Sequence, residues 1–350
     1  MFSAAVTSVA LVATLSGLAG APVPAYPQSD PVLPDVSAET WIVYDESAEV
    51  LLASWNANEE RSMASVTKVM TAMVALDNVG LDELITVPEF ATVARGSSSG
   101  LVAGEQRSVG DLLVAMMVRS GNDAALTLAG HVGDGSIDRF VAKMNSKATE
   151  LGMDDTRFAN PNGLDEDGHY STARDLLTMT LASLEYPDIL RTARIRLVKL
   201  PADPTGKARH LANTNRLLGA YPGVVGLKTG DTPWAGKVLL GVAERGPRRL
   251  VTVVMGSDDH FADTRELMDW GFQTYGLRDR LLRPLFAEQG GGGAVGVDME
   301  LTESHERRLA AMPRLDDGRW NMSTLSELPK AKQLGEWLRE ALPDSIGGDG

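Results

Sequence analysis

Residues 63–75 read MASVTKVMTAMVA, a polar start followed by an apolar run of good helix-forming residues. The pattern predicts a helix beginning near Ser65, where the first backbone N–H groups of a helix are unpaired and its dipole favours negative charge. Lys68 follows about one turn later on the same face, so its amine can reach the serine hydroxyl. This S-x-x-K arrangement pairs a nucleophile with a base.

The S-x-x-K spacing alone is a weak signal, because ordinary serine and lysine usage gives roughly one chance match in a chain this long. No other serine in the sequence has a lysine three places later. The simplest alternative is that Ser65 and Lys68 lie at the solvated start of a helix and have no catalytic role. Other motifs are therefore needed to distinguish the two interpretations.

Composition narrows the classes of function. A chain of 350 residues with 43% hydrophobic and 23% charged residues can form one large domain with a small appendage. The net charge of -14 repels phosphate backbones and argues against nucleic acid as a partner. The absence of cysteine excludes a thiol nucleophile, a cysteine-ligated metal and a disulfide framework.

The N-terminal segment has the composition of an export signal. Residues 1–29 carry no charged side chain, and small-residue patterns after the apolar run suit cleavage after Ala21 or Ala25. We therefore predict a signal peptide over residues 1–25 and a protein exported to the periplasm or cell wall. No Lys or Arg precedes the apolar run, so an N-terminal anchor is the open alternative. A proline-rich linker covers residues 26–37.

The order of apolar segments predicts one domain over residues 38–282. An apolar hairpin at residues 41–55 comes first and helical segments follow. The apolar strands at residues 237–243 and 249–255 pair as a second hairpin, with residues 224–228 at its edge. We predict one mixed sheet with helices on its faces.

Residues 283–350 form a C-terminal extension that we predict to be partly helical. Four glycines at residues 290–293 interrupt the chain, and an apolar stretch at residues 325–342 carries three acidic and three basic side chains. A helix on a membrane surface is usually basic, so we favour a helix packed on protein. Peripheral membrane association remains the alternative.

Other polar motifs have less certain meanings. The loop GSSSG at residues 96–100 spells G-x-S-x-G but lacks the flanking strand and helix of a nucleophile elbow, so it is interpreted as a flexible loop. Ser120 and Asn122 lie in a predicted turn between helices, where they can cap a helix or point into a cavity. The five histidines show no zinc-binding spacing and suit surface or capping roles, so no metal is expected.

Three motifs in order are more specific than any one of them: SVTK at residues 65–68, SGN at 120–122 and KTG at 228–230. With them, this chain resembles the penicillin-binding serine D-alanyl-D-alanine carboxypeptidase and endopeptidase family, the low-molecular-mass penicillin-binding proteins. The stretches FANPNGL at 158–164 and NTN at 213–215 extend the resemblance, which covers about two thirds of the chain.

The resemblance implies an α/β (α+β) fold of the beta-lactamase and DD-peptidase type. Its mainly antiparallel five-stranded sheet is flanked by helices, beside an all-helical subdomain. It implies a hydrolase without a cofactor, a peptidoglycan stem peptide ending in D-Ala-D-Ala as substrate, and beta-lactam antibiotics as inhibitors.

The resemblance also assigns catalytic roles. Ser65 is the nucleophile that carries the acyl ester, and Lys68 is the general base. A neighbouring ammonium at Lys228 and a helix N-terminus lower the pKa of Lys68. Ser120 bridges the two lysines and relays the proton to the leaving D-alanine. Asn122 orients Lys68 and holds the substrate's peptide carbonyl.

The substrate-binding residues that it implies are Lys228, Thr229, Gly230 and Asp231. The first two receive the terminal carboxylate on an edge strand, where the peptide adds as another strand. The backbone N–H groups of Ser65 and Asp231 form the oxyanion hole. Arg265 or His260 supplies further positive charge to the carboxylate.

Three alternatives remain at this stage. A class A beta-lactamase needs a glutamate in an E-x-x-L-N motif between the second and third elements, but Glu150, Glu166 and Glu185 have no asparagine four places on. A D,D-endopeptidase that cuts crosslinks shares every motif found here, and we favour the carboxypeptidase. A silent wall-binding relative has no chemical need for Lys68.

Overall fold

The computed structural model describes residues 33–202, 206 and 208–287. The predicted signal peptide, residues 26–32 of the predicted linker and the part of the predicted extension beyond residue 287 lie outside the described residues. The boundaries predicted for these segments therefore stay predictions.

The described residues contain one large sheet and two small ones. The strands are β1 (Thr40–Asp45), β2 (Val50–Trp55), β3 (Leu84–Thr86), β4 (Gln106–Ser108), β5 (Leu197–Leu200), β6 (Arg209–Ala212), β7 (Val224–Thr232), β8 (Gly236–Arg245) and β9 (Arg248–Ser257). Five of them form a sheet in the order β2-β1-β9-β8-β7, and every pairing in it is antiparallel. The mainly antiparallel sheet is confirmed, whereas the mixed sheet inferred from element order is wrong.

The apolar runs in β8 and β9 are buried because both faces of the sheet are covered. Val238, Leu240 and Val242 face the main hydrophobic core, whereas Leu239 and Ala243 join a cluster with a residue of the C-terminal helix described below. Alternate residues of a strand point to opposite faces, so continuous apolar sequence is expected where neither face meets water.

The described helices are α1 (Thr67–Asn78), α2 (Glu89–Thr92), α3 (Val109–Arg119), α4 (Asn122–Val132), α5 (Ile137–Leu151), α6 (Ala173–Ser183), α7 (Pro187–Ala193) and α8 (His260–Ala287). Helix α8 is longer than the predicted segment 261–272. Thr172 is the N-cap of α6, since its side chain accepts a hydrogen bond from the Asp175 amide. No described helix is long and apolar enough to cross a membrane.

Helix α1 is the centre of the helical part. Every residue from 67 to 75 is buried, because α3, α4, α5 and α6 all contact this helix. A helix that is apolar on all sides is stable only when other elements surround it. The same burial holds the Lys68 side chain inside the protein, directly beside Ser65.

Candidate active site

Ser65 lies in a single 3-10 turn, Ala64–Val66, that leads into α1. The Lys68 side chain is fully buried and its Nζ is 2.8 Å from Ser65 Oγ. The same nitrogen makes a short hydrogen bond to the carbonyl oxygen of Asn162. The nucleophile and its predicted base are therefore in direct contact.

The electrostatics of Lys68 favour a neutral amine. Burial lowers its pKa well below the usual value, the nearby Lys228 lowers it further, and Asp123 opposes the shift. A neutral amine has two N–H donors and one lone pair. Because one N–H is directed to the Asn162 carbonyl, the lone pair can accept the Ser65 proton.

Ser120 ends α3 in the left-handed conformation, with φ 63° and ψ 32°. Its Oγ accepts a hydrogen bond from Lys228 Nζ at 3.0 Å, and Lys228 also bonds the Thr229 carbonyl at 2.9 Å. Burial lowers the pKa of Lys228 to about 7. The hydrogen bonds of Lys68 go to Ser65 and Asn162, so only the Lys228 half of the expected Ser120 bridge is a hydrogen bond here.

Asn122 is the first residue of α4, and its amide is oriented by the preceding loop. Its Nδ2 donates to the Arg95 carbonyl at 2.6 Å, and its backbone N–H donates to the Ser97 carbonyl at 2.8 Å. Its buried Oδ1 has no hydrogen-bond partner within the described part of the chain. That oxygen is therefore available as an acceptor, while one hydrogen of Nδ2 is already used.

Residues 96–100 form a loop, as expected, and hydrogen bonds anchor it; its flexibility stays a prediction. The carboxylate of buried Asp123 accepts hydrogen bonds from Ser98 Oγ at 2.7 Å and from the backbone N–H groups of Ser99 and Leu101. Sequence reasoning missed Asp123. The only sequence feature that pointed to Asp123 was its position directly after the SGN motif, in the first turn of α4.

Strand β7 brings the KTG motif to the nucleophile. It is the edge strand of the sheet, and a Cβ added at Gly230 would lie 2.8 Å from Ala64 Cβ and 3.0 Å from Ser65 N. Only glycine allows the strand to approach so closely. Asp231 follows on the same strand, and Thr229 Oγ1 is 2.7 Å from Thr214 Oγ1 in the NTN loop.

The Ser65 turn is also covered by residues 158–164. Gly163 has φ +82°, and a Cβ there would lie 2.0 Å from the Ala64 carbonyl oxygen. The neighbouring Asn162 carbonyl bonds Lys68, as described above. Sequence reasoning placed this segment among turns but missed Asn162, because a backbone acceptor leaves no mark on residue type.

The two cations proposed for the substrate carboxylate differ in environment. Arg265 is exposed on α8, and no hydrogen bond or ion pair joins it to another described residue. His260 is buried, and burial lowers its pKa to about 4, so its ring is uncharged at neutral pH. Arg216, which sequence reasoning missed, lies 5.9 Å from the Phe261 ring and acts electrostatically on His260.

The other histidines in the described residues occupy different surroundings. His131 contacts Glu83 at the surface, and His210 is exposed. His169 is buried, contrary to the surface or capping roles expected from sequence. Among residues 33–202, 206 and 208–287, no group of three or more His, Asp or Glu side chains could hold a metal ion.

Comparisons with known proteins agree with this geometry. The family described as D-alanyl-D-alanine carboxypeptidase, peptidase family S11, matches residues 27–259. The chain is 36% identical over 246 residues to D-alanyl-D-alanine carboxypeptidase DacF of Bacillus subtilis, a match covering 68% of this chain and 63% of DacF. The match to DacB2 of Mycobacterium tuberculosis is 36% over 248 residues and covers 69% and 84% of the two chains.

Solved structures show the same fold. The Streptomyces K15 DD-transpeptidase matches with a TM-score of 0.66 and 30% identity, over 69% of this chain and 98% of that one. A penicillin-binding protein homolog from Mycobacterium tuberculosis matches with a TM-score of 0.66 and 34% identity, over 77% and 99% of the two chains. The aligned region is less than two thirds of the length of DacF. By its motifs, its fold and these matches, the chain belongs to the D-alanyl-D-alanine carboxypeptidase family of serine peptidases.

Proposed function

We propose that this protein is a serine-type D-alanyl-D-alanine carboxypeptidase that removes the terminal D-Ala from peptidoglycan stem pentapeptides. The observation that carries the proposal is the buried Lys68 amine, 2.8 Å from Ser65 Oγ and favoured in its neutral form. A neutral amine beside a hydroxyl is what acyl transfer to serine requires. The family membership supports the same substrate class.

In the proposed reaction Ser65 Oγ attacks the carbonyl carbon between the two D-alanines, and its proton passes to Lys68. The N–H groups of Ser65 and Asp231 stabilise the tetrahedral oxyanion. Collapse breaks the C–N bond, and the proton reaches the leaving amine through Ser120, which the Lys228 hydrogen bond supports. Water then hydrolyses the ester on Ser65 and regenerates the hydroxyl.

The stem peptide would bind as an added strand along the edge of β7, beside Gly230. The Asn122 amide would contact the peptide group, and its buried, unpaired Oδ1 supports that role. The Thr229 hydroxyl would receive the terminal carboxylate. Arg216 is our preferred source of positive charge because its loop also carries Thr214, whereas Arg265 and His260 remain the other candidates.

The proposal places the enzyme outside the cytoplasm, where peptidoglycan is made, and makes beta-lactams its inhibitors. The lack of an E-x-x-L-N glutamate supports a long-lived penicilloyl ester rather than rapid penicillin turnover. For the predicted extension, residues 283–350, we favour packing on protein, and peripheral membrane association is the alternative.

The decisive experiment is the intact mass of the full chain after incubation with penicillin, followed by peptide mapping of the adduct. We expect one penicilloyl group on Ser65 and none in Ser65→Ala. We also expect free D-alanine to be released from a stem pentapeptide faster than a purified crosslinked dimer is cleaved. The reverse preference would identify an endopeptidase, and an adduct elsewhere, or none, would contradict the mechanism.

A further inference from the structure

His169 is buried beneath the nucleophile and plays no part in the reaction described above. It lies between the segment at residues 158–164 and the start of α6, with only 3% of its surface exposed. Its ring packs edge-on against Phe158, with a centroid distance of 6.0 Å and an interplanar angle of 64°. A buried imidazole with both nitrogens bonded has a fixed orientation, so its two hydrogen bonds can be assigned.

One hydrogen bond determines the tautomer. Nδ1 lies 3.0 Å from the backbone nitrogen of Ala159. A backbone N–H can only donate, so Nδ1 must be the unprotonated acceptor and Nε2 must carry the hydrogen of the neutral ring. Nε2 lies 2.8 Å from Thr67 Oγ1, which therefore accepts a hydrogen bond from His169.

Thr67 links His169 to Ala64, the residue before Ser65. Its hydroxyl donates to the Ala64 carbonyl oxygen at 2.8 Å. Three hydrogen bonds therefore run in one direction, from the Ala159 amide to His169, from His169 to Thr67, and from Thr67 to Ala64. Each group donates or accepts as its chemistry requires, and this series of hydrogen bonds ends at the peptide group between Ala64 and Ser65.

That peptide group has a special conformation. Ala64 has φ +50°, a left-handed value that costs a residue with a side chain about 1–2 kcal/mol and persists only when surroundings impose it. In a planar trans peptide the C=O and N–H point in opposite directions. Fixing the Ala64 carbonyl therefore also fixes the direction of the Ser65 N–H.

We propose that His169 is a positioning residue, which acts through Thr67 to hold the peptide group between Ala64 and Ser65, and thereby the Ser65 N–H and hydroxyl, in the geometry needed for acyl transfer. The inference rests on the proposed function, because it treats the Ser65 N–H as an oxyanion donor. It gives His169 a role that requires a neutral ring with its hydrogen on Nε2.

The surroundings of His169 keep its ring neutral at pH 7. Burial lowers the pKa of His169 to about 4, nearby Lys68 also lowers it, and Asp165 partly opposes both. Protonation of Nδ1 would set two donors, Nδ1–H and the Ala159 N–H, against each other. The hydrogen-bond chain is therefore intact near pH 7.

Two substitutions at His169 separate its two contacts. The His169→Gln side chain can place an amide N–H near the Nε2 position and keep the bond to Thr67. The His169→Asn side chain is shorter and keeps only an acceptor near Nδ1. Thr67→Val removes the hydroxyl with little change of shape, and Thr67→Ser keeps it.

The test measures the rate of penicillin acylation in the full chain, with far-ultraviolet circular dichroism to establish folding. We expect acylation to slow roughly 10- to 100-fold in Thr67→Val and His169→Asn, as for other small misplacements of a reacting group. His169→Gln and Thr67→Ser should retain most of the rate. The double variant Thr67→Val with His169→Asn should be no slower than either single variant, because both substitutions interrupt the same series of hydrogen bonds.

Nitrogen-15 spectra of the histidine rings provide a second readout, with the hydrogen of His169 expected on Nε2 in the wild type. Wild-type acylation rates in folded Thr67→Val and His169→Asn, or an Nδ1–H tautomer, would overturn the inference. If His169→Asn does not fold, Thr67→Val decides. A wild-type protein that penicillin does not acylate at Ser65 would instead overturn the proposed function.

Discussion

Lys228 is completely buried, and its hydrogen bonds within the described residues go to uncharged oxygens of Ser120 and Thr229. No carboxylate neutralises it there, so burial lowers its pKa to about 7. Together with Lys68, it places two buried amines in one site, where burial disfavours the charged form of each. This cost in stability is what makes a lysine a usable base near neutral pH.

The depressed pKa of Lys228 predicts how stability changes with pH. Between about pH 7 and the ordinary lysine pKa of 10.5, the unfolded chain binds more protons than the folded one. The free energy of unfolding should therefore rise with pH in this window, by at most about 1.4 kcal/mol per pH unit for one proton. We expect urea unfolding of wild type at about pH 7, 8 and 9 to show this slope and Lys228→Met to show a smaller one. Equal slopes would contradict the lowered pKa.

At the scale of elements, the active site is the meeting point of a helix start, an edge strand and two loops. Glycines allow the close approach, because Gly163 and Gly230 both lie against the turn that carries Ser65. The loop at residues 96–100 is fixed by Asp123, and Arg95, directly before this loop, accepts a hydrogen bond from the Asn122 side chain. The catalytic geometry therefore depends on contacts between segments that are distant in sequence.

Two glycines share one backbone conformation but differ in their surroundings. Their alanine variants therefore distinguish the effect of backbone strain from the effect of a steric clash. Gly163 has φ +82° and Gly104 has φ +81°, but an added Cβ meets the Ala64 carbonyl only at Gly163 and meets nothing within 4 Å at Gly104. Both alanine variants should lose about 1–2 kcal/mol of stability from the left-handed backbone. Only Gly163→Ala should also slow penicillin acylation, roughly 10-fold or more. Equal acylation rates in the two variants would show that the turn tolerates the contact.

The carboxylate contact can be assigned with a matched pair of arginines. Arg216 lies in the loop next to the KTG strand, and Arg265 is exposed on α8. Arg216→Ala should raise KM for a peptide ending in D-Ala-D-Ala by roughly 10-fold or more, since hydrogen bonds to charged groups contribute about 1.5–3 kcal/mol. Arg265→Ala should leave KM unchanged, and a peptide with an amidated C-terminus should not distinguish Arg216→Ala from wild type. The opposite pattern would assign the role to Arg265.

For the whole molecule, buried titratable groups predict loss of stability in acid. His169 and His260 both have folded-state pKa values of about 4, below the usual 6.5, so unfolding takes up protons as pH falls from 6.5 to 4. Buried Asp175 opposes them, because its pKa is raised to about 6 and its proton is bound more tightly in the folded state. The raised pKa of Glu46 acts in the same direction as that of Asp175, and the lowered pKa of Asp259 acts with the histidines. Because the two histidine shifts together exceed the Asp175 shift, the free energy of unfolding should fall across this range.

Denaturant unfolding between about pH 6.5 and 4 checks this balance. Asp175→Asn should lose stability more steeply than wild type, because the opposing group is gone. His169→Gln should lose it less steeply, because one of the two histidines is gone. A free energy of unfolding that stays constant or rises toward pH 4 would contradict the prediction.

Much of the fold could be predicted from sequence because the sequence patterns that indicate its helices and strands are local. The first hairpin, helices α3 to α6 and the strand group at residues 224–257 follow from apolar periodicity and turn residues. Helix α8 continues past its predicted end at Phe272, although Gly276 and Pro284 are residue types that usually favour the end of a helix. The family resemblance implied five mainly antiparallel strands, but their order came only from the structure, because pairing between β1 and β9 joins opposite ends of the domain.

By itself the sequence determined that Ser65 and Lys68 meet, because they are three residues apart and helix geometry brings them together. It also determined the SGN and KTG motifs, whose residue types the chemistry requires. Only the tertiary structure decided that the Asn162 carbonyl bonds Lys68, that Asp123 fixes the serine loop, and that His169 reaches Thr67. These contacts span 94, 24 and 102 residues or use backbone atoms, and no local pattern encodes contacts across such separations.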